Sequence, residues 1–156
     1  MSTNYAGNES TAVSQLNSLL RGEISAAETY KMAIDKIADS ESQAANLGLL
    51  KEMQEDHGRA AQIIRQQIRD LGGEPADSSG AWGAWAQTVQ GTANLFGDAA
   101  ALKSLKEGEE HGLKDYQEAL DDVDAASASI IASQLIPNQQ RHISLLDQLM
   151  GSAGRA

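Results

Sequence analysis

The chain has 156 residues and a formal net charge of -10, with 22 acidic and 12 basic side chains. This charge repels phosphate backbones and anionic lipids, and no basic stripe with interleaved aromatic residues offsets it, so neither nucleic acid nor a membrane is expected as a partner. Because cysteine is absent, disulfides, thiolate metal sites and a cysteine nucleophile are excluded, and any metal must use nitrogen and oxygen ligands.

The composition of the chain favours helices. Aromatic residues make up 4% of the sequence and only two prolines occur, whereas the helix-favouring residues alanine, leucine and glutamate are abundant. The length suits one hydrophobic core, so we predict a single all-α domain over residues 1–156. The first residues do not resemble a signal peptide, and no run of about 18 apolar residues occurs. We therefore expect a cytoplasmic protein.

Apolar residues spaced alternately three and four apart predict four helices, over residues 10–39, 42–71, 99–122 and 125–150. The polar break between the first two helices is so short that they are expected to form an antiparallel hairpin. The pair Gly72-Gly73 is predicted to end the second helix, because glycine readily adopts the backbone conformation that follows a helix C-terminus.

Residues 72–98 differ in composition from the helices on either side, since they carry Pro75 and many of the 14 glycines. We interpret them as a long crossover between the two halves of the chain. The spacing of Trp82, Trp85 and Val89 predicts a short helix within it, since loops of this length seldom lack structure of their own. The two tryptophans favour a packing or protein contact over a ligand site.

The fourth helix contains Pro137, which lacks a backbone N–H and should kink or divide the helix just before Asn138. The apolar seam of this helix is predicted to comprise Ile131, Leu135, Asn138, Leu145 and Leu149.

The chain contains an internal repeat. Helices one and three share a pattern at an offset of 86 residues, and helices two and four share a shorter one at an offset of 85. The first pattern is Leu16, Leu19, Gly22, Glu23, Tyr30, Ala33 and Asp35, against Leu102, Leu105, Gly108, Glu109, Tyr116, Ala119 and Asp121. The second is Gln54-x-x-His57 against Gln139-x-x-His142. We infer two copies of one helical hairpin, which the crossover allows to be inverted so that like residues meet at the centre.

One ionisable residue interrupts each apolar seam near its middle: Glu23, His57, Glu109 and His142 in chain order. The rise of an α-helix places all four at a similar height in the core. Unpaired burial of these groups would be unfavourable, so they must bond to one another, to water or to a metal. Metal-free Glu–His pairs and a metal site both meet that requirement.

The Gly-Glu pairs of helices one and three, the run Leu-Gly-Gly-Glu-Pro at 71–75 and the length of the crossover resemble a bacterial ferritin-like family known mainly as a four-helix-bundle domain of unknown function. More broadly, the chain is similar to the ferritin and rubrerythrin superfamily, whose di-iron sites take Glu from two helices and Glu-x-x-His from the other two. The resemblance implies a ferritin-like four-helix bundle in which Glu23, Glu109, His57 and His142 are metal ligands.

Gln54 and Gln139 stand where that pattern has bridging glutamates. Two carboxylates balance the charge of one divalent ion, and an amide oxygen is a poor bridge between two ions. The two Glu and two His residues therefore suit one Fe, Zn or Mn ion, with the glutamines as weak ligands or orienting groups. The neighbouring acidic residues and one further histidine point off the seam and are expected at the surface: Glu28, Glu52, Glu55, Glu110 and His111.

Tyr30 and Tyr116 lie two turns along the seam from the glutamate of their own helix, which is too far for a bond within that helix. An antiparallel neighbour can bring the other glutamate within reach. We expect both tyrosines to fill the core with their hydroxyls bonded to a polar group.

Two functions stay open, and so does whether the protein is an enzyme. One is a metal-binding ferritin-like protein engaged in iron handling or iron-dependent oxidation. The other is a non-catalytic helical scaffold or stress-related interaction protein with a metal-free polar core and a contact surface at Trp82 and Trp85. A hydrolase or transferase lacks support, because no phosphate loop or nucleophile elbow occurs. The alanine-rich helices are also compatible with a homodimer.

Overall fold

The structure is a computed structural model that describes residues 3–38, 44–80, 87, 89–91 and 98–153. All regular secondary structure within these ranges is helical, so the all-α prediction is confirmed. Among the helices of the same ranges, none combines the length and apolar character that a membrane span requires. The division of the chain into one domain over residues 1–156 stays a prediction.

The helices form four columns. The first three columns are α1 (Thr3–Ala38), α2 (Ala44–Asp70) and α3 (Asp98–Ala119). The fourth column comprises α4 (Ala125–Ile130), a π-helical segment (Ile131–Leu135) and α5 (Ile136–Ala153). Asp124 caps the start of the fourth column, where its carboxylate accepts a hydrogen bond from the backbone N–H of Ser127 at 3.2 Å.

Two buried apolar clusters show the directions of the columns. The first cluster joins the C-terminal half of α1 to the start of α2, the start of α3 and the end of α5. The second cluster joins the opposite ends of the same helices, together with the π segment. It follows that α1 runs antiparallel to both α2 and α3, and that α5 also runs antiparallel to both. The end of α2 and the start of α3 therefore lie at opposite ends of the columns.

A layer of buried polar side chains separates the two clusters. It contains one residue from each column, namely Glu23, His57, Glu109 and His142, each at most 5% exposed. These are the four interruptions of the apolar seams. The helical period turns each of them toward the core, and they share one height because each lies near the middle of its column.

The end of α2 follows the sequence prediction. Gly72 has a φ of 79°, which is the left-handed conformation that glycine adopts without strain. The backbone N–H of Gly73 donates to the carbonyl of Ile68 at 2.9 Å, and that of Gly72 donates to Arg69 at 2.9 Å. This pair of bonds is the Schellman arrangement that ends many helices.

Pro137 is the second residue of α5, just beyond the π segment, and the fourth column continues through it. A π turn takes in one more residue than an α turn. Asn138, predicted to lie on the apolar seam, is exposed, so that part of the seam prediction was wrong. Gln139 and Leu146 are buried instead, and His142 keeps its place in the polar layer.

The segment between α2 and α3 is described only in part. Trp82 and Trp85 lie outside the described residues. The predicted short helix around them also lies largely outside. Val89 is fully buried in the first apolar cluster. At the other end of the segment, the Asn17 side chain accepts from the backbone N–H of Ala76 at 2.7 Å and donates to the carbonyl of Glu74 at 3.0 Å, which holds the chain leaving α2 against α1.

Candidate metal centre

Three of the columns meet at His57. Its Nδ1 lies 2.6 Å from Glu23 Oε2, and its Nε2 lies 2.6 Å from Glu109 Oε1. The fourth column adds His142, whose ring centroid is 4.9 Å from that of His57 and whose Nδ1 is 3.4 Å from Glu109 Oε1. The structure thus brings together the four ionisable residues that interrupt the seams. Glu23, His57, Glu109 and His142 form the candidate metal centre.

Two tyrosines also donate hydrogen bonds to the glutamates. The Tyr30 hydroxyl donates to Glu109 Oε1 at 2.5 Å, and the Tyr116 hydroxyl donates to Glu23 Oε1. Each tyrosine therefore bonds the glutamate of the other hairpin, as expected for antiparallel α1 and α3. The prediction that both are core residues with bonded hydroxyls is confirmed, and both bonds follow from the pseudo-twofold relation between the repeats.

His142 is oriented by a carboxylate outside the four. Its Nε2 lies 2.9 Å from Asp56 Oδ2, so Nε2 carries the hydrogen and donates it. Asp56 is only 7% exposed and also accepts hydrogen bonds from Arg59 and Arg141. The other ring nitrogen of His142, Nδ1, faces Glu109.

Two buried atoms in the centre have no hydrogen-bond partner among the described residues, namely Glu109 Oε2 and His142 Nδ1. Leaving such atoms unsatisfied is unfavourable by roughly 1–3 kcal/mol each. One ligand atom from each of His57, Glu109 and His142 can be chosen so that all three lie within 4.8 Å of one another. This donor set of two imidazoles and one carboxylate is one that Zn²⁺ and Fe²⁺ accept.

Opposite charges decide the protonation of the centre. Burial alone would lower the pKa of His57, but the carboxylates of Glu109 and Glu23 outweigh it and raise that pKa well above 6.5. Burial would raise the pKa of Glu109, yet the charge of His57 and the contacts with both imidazoles lower it from 4.5 to about 2. Without a metal, His57 is therefore an imidazolium that donates to a carboxylate from each ring nitrogen.

A family described as a domain of unknown function, DUF2383, matches residues 11–122 of the chain. The chain belongs to this family. No curated protein and no solved structure matches it. In this DUF2383 protein the matched residues include Glu23, His57 and Glu109, whereas His142 lies beyond them.

The two glutamines of the DUF2383 chain lie beside the centre and bond to backbone carbonyls. Gln139 is 5% exposed, and its Nε2 donates to the carbonyl of Glu109 at 3.1 Å. Gln54 Nε2 lies 3.5 Å from the carbonyl of Ala27. Each glutamine thus connects its own column to a neighbouring one, and its role as a metal ligand stays a prediction.

Sequence reasoning missed Asp56 and its bond to Arg141. The two residues precede His57 and His142, so they occupy equivalent places in the repeat. Opposite charges at equivalent positions were the signal that could have found the pair. The expected surface residues are all exposed in the structure: Glu28, Glu52, Glu55, Glu110 and His111.

Proposed function

We propose that this DUF2383 protein is a ferritin-like metal-binding protein that holds one divalent cation between His57 Nε2, Glu109 and His142 Nδ1. The observation that carries the proposal is the pair of unpartnered buried atoms, Glu109 Oε2 and His142 Nδ1. A cation at this position would satisfy both and would replace the proton on His57 Nε2. The antiparallel directions of the four columns support the ferritin-like assignment.

The charge of the centre favours one ion over two. Glu23 and Glu109 together carry two negative charges, which balance a single divalent cation when the histidines are neutral. In this arrangement Glu23 accepts from His57 Nδ1 and Asp56 accepts from His142 Nε2, so a carboxylate orients each imidazole. Glu23 as a direct ligand, as the resemblance implies, stays a prediction.

Iron, zinc and manganese all suit the donor set. With two histidines and one carboxylate as ligands, further coordination positions stay open to water or a small molecule. A bound Fe²⁺ would supply redox chemistry with a dioxygen-derived oxidant. For this reason we include iron handling and iron-dependent oxidation in the proposal. In that activity the protein's own residues would bind and orient the ion and keep bulk water out.

Elemental analysis tests the proposal. The purified, untagged protein is incubated separately with Fe(II), Zn(II) and Mn(II), desalted and analysed. We expect about one ion per chain for at least one metal, lost in His142→Ala and Glu109→Gln. His111→Ala is the matched control, because this exposed histidine lies on α3 and faces away from the centre. No retained metal, or equal loss in the His111 variant, would contradict the proposal.

The alternative is a metal-free scaffold, and one observation favours it. Both nitrogens of His57, both oxygens of Glu23 and one oxygen of Glu109 already have short hydrogen bonds, so most of the polar layer is satisfied without a metal. On this hypothesis the double variant Glu23→Leu, Glu109→Met retains the fold and gains stability. A metal protein would lose its ion in the same variant, which distinguishes the two functions.

A further inference from the structure

A small pocket opens between α1 and α3 and reaches the centre from one side. Its lining includes the buried residues Glu23, His57 and Tyr116, and also Ser18 and Asp115, which are more exposed. Its volume is about 40 Å³, whereas one water molecule needs roughly 10–15 Å³ of such space and a drug-sized ligand needs hundreds. The pocket therefore suits a few waters or an ion with part of its hydration shell.

An acidic groove adjoins this pocket. The groove shares Ser18, Leu19 and Asp115 with the pocket and adds Glu118 and Asp122. Among the residues that the structure describes, no lysine or arginine lines either of them. Lys114 approaches Glu118 at 3.9 Å, but both side chains are more than 60% exposed, so solvent screens their interaction.

Carboxylates therefore lie at both ends of a continuous path. Asp115, Glu118 and Asp122 are at the surface end, and Glu23 is at the inner end. A net charge of -10 adds to the same field. Negative potential concentrated in a cleft raises the local concentration and the association rate of cations, and it disfavours anions.

Glycine keeps the pocket open. Gly22 lines it, and a Cβ added at Gly22 would meet no heavy atom within 4 Å, so a larger side chain there can occupy the open space without a clash. Gly112 also lines the pocket, but a Cβ there would lie 2.6 Å from Gln139 Nε2. Gly22 is accordingly the position at which the pocket can be filled while the surrounding packing is preserved.

We propose that the groove and pocket form the route by which a divalent cation passes from solvent to the centre at His57 and Glu109. This inference rests on the proposed metal-binding function and adds to it how the ion arrives. It requires the rate of metal uptake to depend on Gly22 and Asp115, and the final amount bound to depend on neither.

Stopped-flow uptake of Co²⁺, followed by its visible absorption, tests the route. We expect Gly22→Leu to slow uptake at least about tenfold, which corresponds to a barrier higher by roughly 1.4 kcal/mol. The uptake rate of Gly22→Ala should lie between those of the wild type and Gly22→Leu. The smaller variant also tests the route if Gly22→Leu fails to fold. Gly48→Leu is the matched control, because Gly48 is an exposed position on α2 with equal room for a side chain.

The acidic end of the route is tested by charge removal. Asp115→Asn should slow uptake about two- to threefold at low ionic strength, and the difference should vanish in high salt. Asp35→Asn removes the same charge from an exposed site near the C-terminal end of α1 and should leave the rate unchanged. If Gly22→Leu slows Co²⁺ uptake but Asp115→Asn does not, the groove is not the start of the route.

The amount of Co²⁺ bound at the end of each trace separates the two proposals. If Gly22→Leu binds as much Co²⁺ as the wild type but takes it up more slowly, the route is supported. If Gly22→Leu binds the same amount at the wild-type rate, or if Gly48→Leu slows uptake as much as Gly22→Leu does, the route is wrong and the metal-binding function is unaffected. A wild-type protein that binds no Co²⁺, and retains no metal in elemental analysis, overturns the function and the route together.

Discussion

His142 Nε2 lies 2.9 Å from Asp56 Oδ2, and this contact determines which ring nitrogen faces Glu109. Burial would raise the pKa of Asp56, but the hydrogen bonds from His142 and Arg59 outweigh it and lower the pKa below 3.8. Asp56 is therefore ionised at neutral pH, and its carboxylate holds the hydrogen of His142 on Nε2. In the proposed metal site, Asp56 is a positioning residue for the ligand atom Nδ1.

Asp56→Asn tests this role. An asparagine keeps the shape of the side chain but removes its charge, and its amide group can present a donor to His142. We expect the affinity for Zn²⁺ to fall about 10- to 100-fold, as is usual when the partner of a metal-binding histidine is lost. Competition with a chelator of known affinity measures the change.

Glu55→Gln is the control for Asp56→Asn. Glu55 neighbours Asp56 on α2 but is exposed, so it changes the net charge equally without touching His142. If both variants weaken Zn²⁺ binding to the same degree, general electrostatics rather than the orientation of His142 would explain the effect.

The two tyrosine hydroxyls predict a matched pair of stability effects. Tyr30→Phe removes the donor to Glu109, and Tyr116→Phe removes the donor to Glu23. Because a buried charged acceptor loses a hydrogen bond in each variant, we expect the free energy of unfolding to fall by about 1–3 kcal/mol in both. Urea unfolding of the metal-free protein measures it. A loss in one variant only would show that the two halves of the layer are not energetically equivalent.

The metal-free protein should be most stable between about pH 4.5 and 6.5. The pKa of Glu109 is lowered from 4.5 to about 2 on folding, so its contribution is present above pH 4.5 and is lost as the pH falls toward 2. The pKa of His57 is raised above 6.5, so its contribution is complete below pH 6.5 and is lost as the pH rises through the folded value. Chemical unfolding across this range gives the profile.

His57→Gln provides the contrast for the pH profile. The variant lacks the titrating imidazole, so the decline of stability above pH 6.5 should disappear. The decline at acidic pH should persist in weaker form, since part of the low pKa of Glu109 comes from His57. An unchanged alkaline decline in the variant would assign it to another group.

The candidate site could be predicted in part because periodicity and the repeat carry it. Four gaps in four apolar seams place Glu23, His57, Glu109 and His142 in one layer, since each position is fixed by its own helix. Asp56 could not be found in this way. It lies one residue from His57, about 100° around α2, and becomes part of the site only through the packing of α2 against the fourth column.

The register of the fourth column was also beyond the sequence pattern. Proline predicts a disturbance of the helix, but several backbone arrangements relieve it. The structure has a π segment at Ile131–Leu135, and beyond it Gln139 is buried in place of Asn138. An α-helical period does not decide between these two residues, because Leu135, His142 and Leu149 belong to the buried face with either of them.

Metal binding at His57 should release a proton. Without a metal, the carboxylates of Glu109 and Glu23 raise the pKa of His57 well above 6.5, so the ring is charged at pH 6.5. A cation bound at Nε2 must displace the hydrogen from that atom, because an imidazole ligates through a lone pair. We therefore expect close to one proton released per Zn²⁺ at pH 6.5 and an affinity that rises with pH. Titration calorimetry in buffers of different ionisation enthalpy counts the protons, and a count near zero would place the ion away from His57.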